Sequence, residues 1–133
     1  MKLQPDRSDA PTILGYGADW IGVGHRGVAE KVHHSLVLDS HGRQFDWQCQ
    51  RHDQLQQAHF DQLAELGPEL VIFGSGSRLR FPPPVLLGAL MARRIGIETM
   101  DTVAACRTYN ILAGEGRHVV AALLLEVPQA WAP

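Results

Sequence analysis

Glycine, serine and arginine fall together at Gly74-Ser75-Gly76-Ser77-Arg78-Leu79-Arg80, straight after the apolar run Leu70-Val71-Ile72-Phe73. Such a run reads as a strand covered on both faces, and ligands of open α/β sheets bind where a strand gives way to a loop. Two glycines permit positive φ and close backbone approach, and successive N–H groups there can cradle an anion. Gly74, Ser75 and Gly76 are therefore the first candidate ligand-binding residues. The competing reading is a tight surface turn in which the glycines only redirect the chain. The named motifs that bring chemistry to such loops are incomplete here. A dinucleotide fingerprint needs a third glycine and an immediate helix, whereas this loop enters the extended segment before Pro82-Pro83-Pro84. A nucleophile elbow fails on spacing, and no Walker-type loop is present.

The second constellation is Thr102-Val103-Ala104-Ala105-Cys106-Arg107-Thr108-Tyr109-Asn110. On a helix, Thr102, Cys106 and Asn110 share a face and Arg107 joins its edge, giving a polar stripe. With Arg117, these residues complete the candidate ligand set: Thr102, Arg107, Tyr109, Asn110 and Arg117. The alternative is structural, with Tyr109 and Asn110 bonded to neighbouring backbone and Arg107 paired with Glu98 or Asp101. Asn110 is a poor mid-helix residue, so a specific partner is expected for it. Cys106 sits too far from the helix N-terminus to be activated as a nucleophile, and no catalytic residue is assigned.

Seven histidines invite a metal reading, yet His33 and His34 are adjacent and point to opposite faces of a strand. No His-rich spacing with a partner carboxylate or thiolate appears. Cys49 and Cys106 are the only cysteines, too few for a disulfide scaffold and lacking the close pairing of a zinc site. Both read as small buried apolar side chains, and neither a metal nor a cofactor is expected.

The elements that must position these residues are legible from apolar patterning. Ile13-Leu14, Trp20-Ile21-Gly22-Val23 and Leu36-Val37-Leu38 predict short antiparallel strands separated by turn-forming clusters. After the turn at Asp39-Ser40-His41-Gly42, Phe45, Trp47 and Cys49 alternate with polar residues, as in a half-buried hairpin partner. Asp53 and Gln56 form a capping-box pattern ahead of a helix carrying Leu55, Ala58, Leu63 and Leu66, closed by Gly67 and Pro68. A second helix is expected from Val85 through Met91, closed by Gly96. A strand at Ile97–Met100, a helix capped by Asp101 or Thr102, and a buried strand over Val119–Leu125 follow. Strand, helix, strand, helix, strand over residues 69–125 predicts an α/β fold in which helices flank a central sheet, with antiparallel strands added by the N-terminal half.

Composition sets the outer bounds. The chain has 133 residues, enough for one domain with a real core. The whole of 1–133 reads as a single domain, with residues 1–10 and 128–133 as flexible ends. A net charge of -2 gives no general pull toward nucleic acid. No run approaches the roughly 20 apolar residues of a membrane-spanning helix, and the start has no apolar leader core, so a cytoplasmic location and no membrane span are expected.

Val71-Ile72-Phe73-Gly74-Ser75-Gly76, Gly96-Ile97-Glu98-Thr99-Met100, Thr102-x-x-Ala105-x-Arg107-x-Tyr109-Asn110-x-Leu112 and Gly116-Arg117-x-Val119 occur in that order. This series resembles the Mth nine-three-eight-like family of domains of unknown function, over nearly the whole chain. The resemblance implies a three-layer α/β fold with a central mixed sheet, flanking helices and a small antiparallel β-layer. It implies no known reaction and carries over no catalytic residue. The family includes a mitochondrial assembly factor for respiratory complex I and an adipogenesis-associated protein. Two functions follow as expectations. The first is a non-enzymatic protein-binding or assembly module whose partner meets an apolar patch at Trp20, Trp131 or Pro82-Pro83-Pro84. The second is a site for a small anionic ligand at the glycine loop, held by nearby Arg residues.

Overall fold

A computed structural model of the chain describes residues 10–126. The reading of the chain ends as flexible therefore falls, apart from Ala10, outside the described residues, as does Trp131. Among the described residues, eight strands form two sheets. β1 (Thr12–Gly17), β2 (Trp20–His25) and β3 (Val28–Val32) make an antiparallel meander. β4 (Leu36–Asp39), β5 (Gln44–Asp46), β6 (Leu70–Gly74), β7 (Gly96–Met100) and β8 (Val119–Leu123) make a mixed sheet in the order β5-β4-β8-β6-β7. β4 runs antiparallel to β5 and β8, while β6 runs parallel to both β7 and β8.

Alternation along the mixed sheet builds the core on both of its faces. Leu36, Leu38, Ile72, Ala121 and Leu123 point to one side, where they meet α3 (Thr102–Gly114) and the inner face of the meander through Ile13, Ile21, Val23 and Val32. Val37, Val71, Phe73, Val120 and Ala122 point to the other, against α1 (Gln57–Glu65), Leu90 of α2 (Gly88–Ala92) and Trp47. The expected three-layer α/β fold with a mixed sheet and an added antiparallel β-layer is thus present.

Several local boundaries differ from the sequence reading. β3 has four exposed residues out of five, so it lacks an apolar alternation that would announce it. α1 begins after Gln56; Asp53 instead lies in a 3-10 turn over His52–Gln54, whose Gln54 Oε1 accepts the Gln50 and Arg51 N–H groups at 3.0 and 3.2 Å. The expected helix from Val85 to Met91 is a 3-10 turn over Pro84–Leu87 running into the short α2, and Gly96 opens β7 instead of closing that helix. Asp101 does cap α3, its side chain accepting the Ala104 N–H at 2.9 Å.

Candidate functional site

The glycine loop leaves the carboxyl end of β6 in the narrow space between α3 and β8. A Cβ added at Gly74 would lie 3.0 Å from Thr102 Oγ1 and 3.1 Å from both Ala105 Cβ and Leu123 Cδ2. Glycine here lets the first turn of α3 close onto the strand end. The loop is then cross-braced. The Ser75 N–H donates to Met100 O at 2.8 Å and the Gly76 N–H to Thr102 Oγ1 at 2.9 Å. In return the Thr102 N–H donates to Gly76 O at 2.9 Å, and its hydroxyl donates to Leu124 O at 2.7 Å. The Leu124 N–H completes the brace on Gly74 O at 2.9 Å.

Ser75, fully buried, organises the far side of the turn. Its hydroxyl donates to Arg78 O at 2.7 Å and accepts the Arg80 N–H at 3.0 Å. The Arg80 guanidinium folds back, donating to Ser75 O at 2.7 Å and pairing with Glu126. Glu126 also accepts the His52 N–H at 2.9 Å, and His52 Nε2 reaches Phe81 O at 3.0 Å. Gly76 has φ of +102°, and a Cβ on it would meet Glu126 Oε1 at 2.5 Å and the Arg80 guanidinium at 2.6 Å. The amides of Ser75 and Gly76 are thus committed to acceptors of the protein itself. The charge facing Gly76 is an internal ion pair.

Between this loop and the β1–β2 turn lies a cavity of about 220 Å³, bordered by Gly76, Thr102, Cys106, Tyr16, Leu125 and Glu126. Cys106 faces it as a thiol. Burial, reinforced by the Asp101 charge, pushes that group from 9.0 up to about 12, so at neutral pH it stays protonated.

The remaining sequence candidates serve other contacts. The Asn110 side chain accepts the Ile13 N–H at 2.9 Å and donates to Ile13 O at 2.8 Å. The Tyr109 hydroxyl donates to Pro11 O at 2.7 Å. Arg107 does not pair with Glu98 or Asp101; its Nε donates to the Tyr16 hydroxyl at 3.0 Å. All three fasten α3 to β1 or to the residue just before it. Arg117 precedes β8, which runs parallel to β6, so it lies at the opposite end of the sheet from Gly74. There it bonds Glu69 at 3.2 Å, and the His118 N–H together with Arg117 holds the Glu69 carboxyl below its ordinary range. The structure brings Gly74, Ser75, Gly76 and Thr102 together, sets Arg107 beyond Tyr16, and leaves Arg117 apart. Sequence reasoning missed Glu126, which stands 46 positions beyond Arg80 and carries no local signal.

Among the described residues, no group of three or more His, Cys, Asp or Glu side chains is placed to hold a metal ion. No helix among them is long and apolar enough to cross a membrane.

Fold and braced loop define the class: a three-layer α/β domain with a mixed central sheet, an appended β-meander and a closed glycine turn after β6. Residues 13–124 match the family described as protein of unknown function (DUF498/DUF598), and the chain belongs to that family. A solution structure of a Bordetella pertussis protein, described as an Mth nine-three-eight-like domain, is 30% identical with a TM-score of 0.76, covering 95% of this chain and 93% of that one. A crystal structure of a Bordetella parapertussis protein is 37% identical with a TM-score of 0.77, covering 86% and 95%. The resemblance legible in the sequence motifs is therefore borne out. Among curated proteins, NADH dehydrogenase [ubiquinone] 1 alpha subcomplex assembly factor 3 of Mus musculus is 35% identical over 80 residues, which is 59% of this chain and 43% of that protein. The match thus spans less than half the length of that relative.

Proposed function

We propose that the domain is a non-enzymatic protein-binding module that acts in the manner of an assembly factor. One observation carries this reading. Within residues 79–91, Leu79, Phe81, Val85 and Met91 are 54%, 68%, 81% and 70% exposed. Scattered apolar residues are ordinary on a surface, whereas four large ones on one short stretch of chain support a contact surface there. The stretch is also well held: Pro82 is buried, His52 grips Phe81 O, and Arg80 is locked by Glu126. A pre-set surface loses little freedom on binding. The likeness to a complex I assembly factor agrees with a role in partner association. The test is affinity capture with the whole protein and with a Phe81→Ser/Val85→Ser/Met91→Ser variant. A partner retained by the first and lost by the second, with unchanged circular dichroism, supports the reading. Equal capture by both, or no capture by either, removes it.

A second reading rests on the cavity beside Gly76. There a small anionic molecule would bind in the space between Gly76, Thr102 and Tyr16, with Arg107, which bonds the Tyr16 hydroxyl, and Arg80, which pairs with Glu126, each having to turn toward it from its present partner. It requires that Gly76→Val and Arg107→Ala each abolish thermal stabilisation by some anionic metabolite. A metabolite panel that shifts the wild-type Tm nowhere removes this reading.

A further inference from the structure

A second concavity, away from both the glycine loop and residues 79–91, holds the least explained chemistry in the fold. It is a groove of about 680 Å³, within the size range of ligand sites, between the chain that follows β5 and the start of α1. Trp47 lines it. That residue is 2% exposed, packed edge-on against His59, Phe60 and Phe73, yet its indole N–H has no acceptor. A buried donor normally has a partner, and leaving one unpaired is costly.

The rest of the lining is mostly polar and carries one carboxylate. Gln48, Gln50, Gln54 and Gln56 all line it. Gln54 is pre-set, because its Oε1 holds the Gln50 and Arg51 N–H groups and leaves its amide NH₂ as an oriented donor. His59 is fixed as well. Its Nδ1 accepts the Gln56 N–H at 2.9 Å, and its Nε2 meets Gln48 O at 2.6 Å, which together define a neutral ring with the proton on Nε2. The lining's one carboxylate, Asp46, pairs with His34 at 3.2 Å, and no Lys or Arg lines the groove. Nothing here meets a phosphate or another strong anion.

A carboxamide offers donors and an acceptor on one planar group, and so does a peptide unit. Beside the groove lies an open backbone: β5 is an edge strand, paired among the described residues with β4 alone. Such an edge accepts an added strand, and the chain continues from it at Asp46 straight into the groove wall.

We infer that this groove binds a short extended peptide segment of a partner protein through its main chain, with Trp47 donating to a peptide carbonyl and Gln50 and Gln54 bonding successive peptide units. The site is separate from residues 79–91, and its failure leaves the reading of that surface standing.

The probe is a phage-displayed library of random peptides panned on the whole protein, followed by titration of an enriched peptide into the isotope-labelled protein. Enrichment is expected, together with a shift of the Trp47 indole N–H resonance and of the Gln50 and Gln54 side-chain amides. Gln54→Ala is expected to weaken the peptide about tenfold, the loss of roughly one good hydrogen bond. Gln50→Ala, whose side chain holds no other part of the fold, is expected to weaken it in the same direction and guards against a folding artefact. The inference is overturned by any of three results: no enrichment, enriched peptides that leave the Trp47 resonance unmoved, or equal binding by both variants. A neutral oligosaccharide that shifts the Trp47 resonance where no peptide does would equally overturn it and reassign the groove to polyols.

Discussion

Asn110 completes the edge of β1: its carboxamide accepts the Ile13 N–H and donates to Ile13 O, pairing with that residue as a neighbouring strand would. A mid-helix asparagine, unfavourable by propensity, thereby satisfies a strand edge and attaches the meander to α3. Asn110→Ala should lower stability by about 2 to 3 kcal/mol, the scale of two hydrogen bonds and a partly buried backbone pair left open. Tyr109→Phe removes the single bond to Pro11 O and should cost about 1 kcal/mol. Urea denaturation of both variants checks the ratio; equal losses would contradict the clamp.

Gly76 and Gly116 both have positive φ, +102° and +83°, but only Gly76 has atoms where a Cβ would go. Gly116→Ala should therefore cost about 1 kcal/mol of backbone strain. Gly76→Ala adds the displacement of the Arg80–Glu126 pair and should cost about 3 kcal/mol. Thermal melts of the two variants side by side measure the difference.

Alkaline pH should unfold the protein through its buried acids. Burial raises the Cys49 thiol from 9.0 to about 11 and the Cys106 thiol to about 12, and pushes the Tyr109 hydroxyl up in the same way. The fold keeps these protons where the unfolded chain has released them. Their contribution is complete below pH 9.0 and is lost as pH rises toward the folded values, by about 1.4 kcal/mol per pH unit for each group. Tm measured upward from neutral pH should hold and then fall beyond pH 9.0, and Cys106→Ala should make that fall shallower.

The exposed side chains of residues 79–91 should be almost free of folding consequence. Phe81→Ser and Val85→Ser, 68% and 81% exposed, should each change stability by less than about 0.5 kcal/mol. A larger loss in chemical denaturation would show that they support the fold rather than a partner.

Much of this architecture was legible because its signals are local. Leu70–Phe73 reads as a covered strand from four consecutive apolar residues, and Asp101 reads as a cap because its side chain acts on an amide three positions away. β3 was missed for the opposite reason: Val28-Ala29-Glu30-Lys31 is exposed, and its turn uses Arg26 at φ +54° where Asn or Asp would be the usual sign. Asn110 signals from its mid-helix position that it needs a partner, but Ile13 lies 97 positions away and no spacing rule reaches it. Arg117 shares a side-chain type with the arginines after the glycine loop, but it precedes its strand and Gly74 ends another. Parallel strands place those positions at opposite ends. The groove at Trp47 draws its walls almost wholly from residues 46–59, with His34 added from just before β4; its glutamines match no named motif, and the sequence does not show that this stretch folds around a concavity.

The strand order also carries a consequence for synthesis. β4 and β6 do not pair; β8, the last strand in chain order among the described residues, lies between them and pairs with both. Until β8 leaves the ribosome, the strands of the mixed sheet can pair only as two separate couples, β4–β5 and β6–β7, each with an unpaired edge. The central sheet can therefore be completed only once residues 119–123 are available to join its two halves.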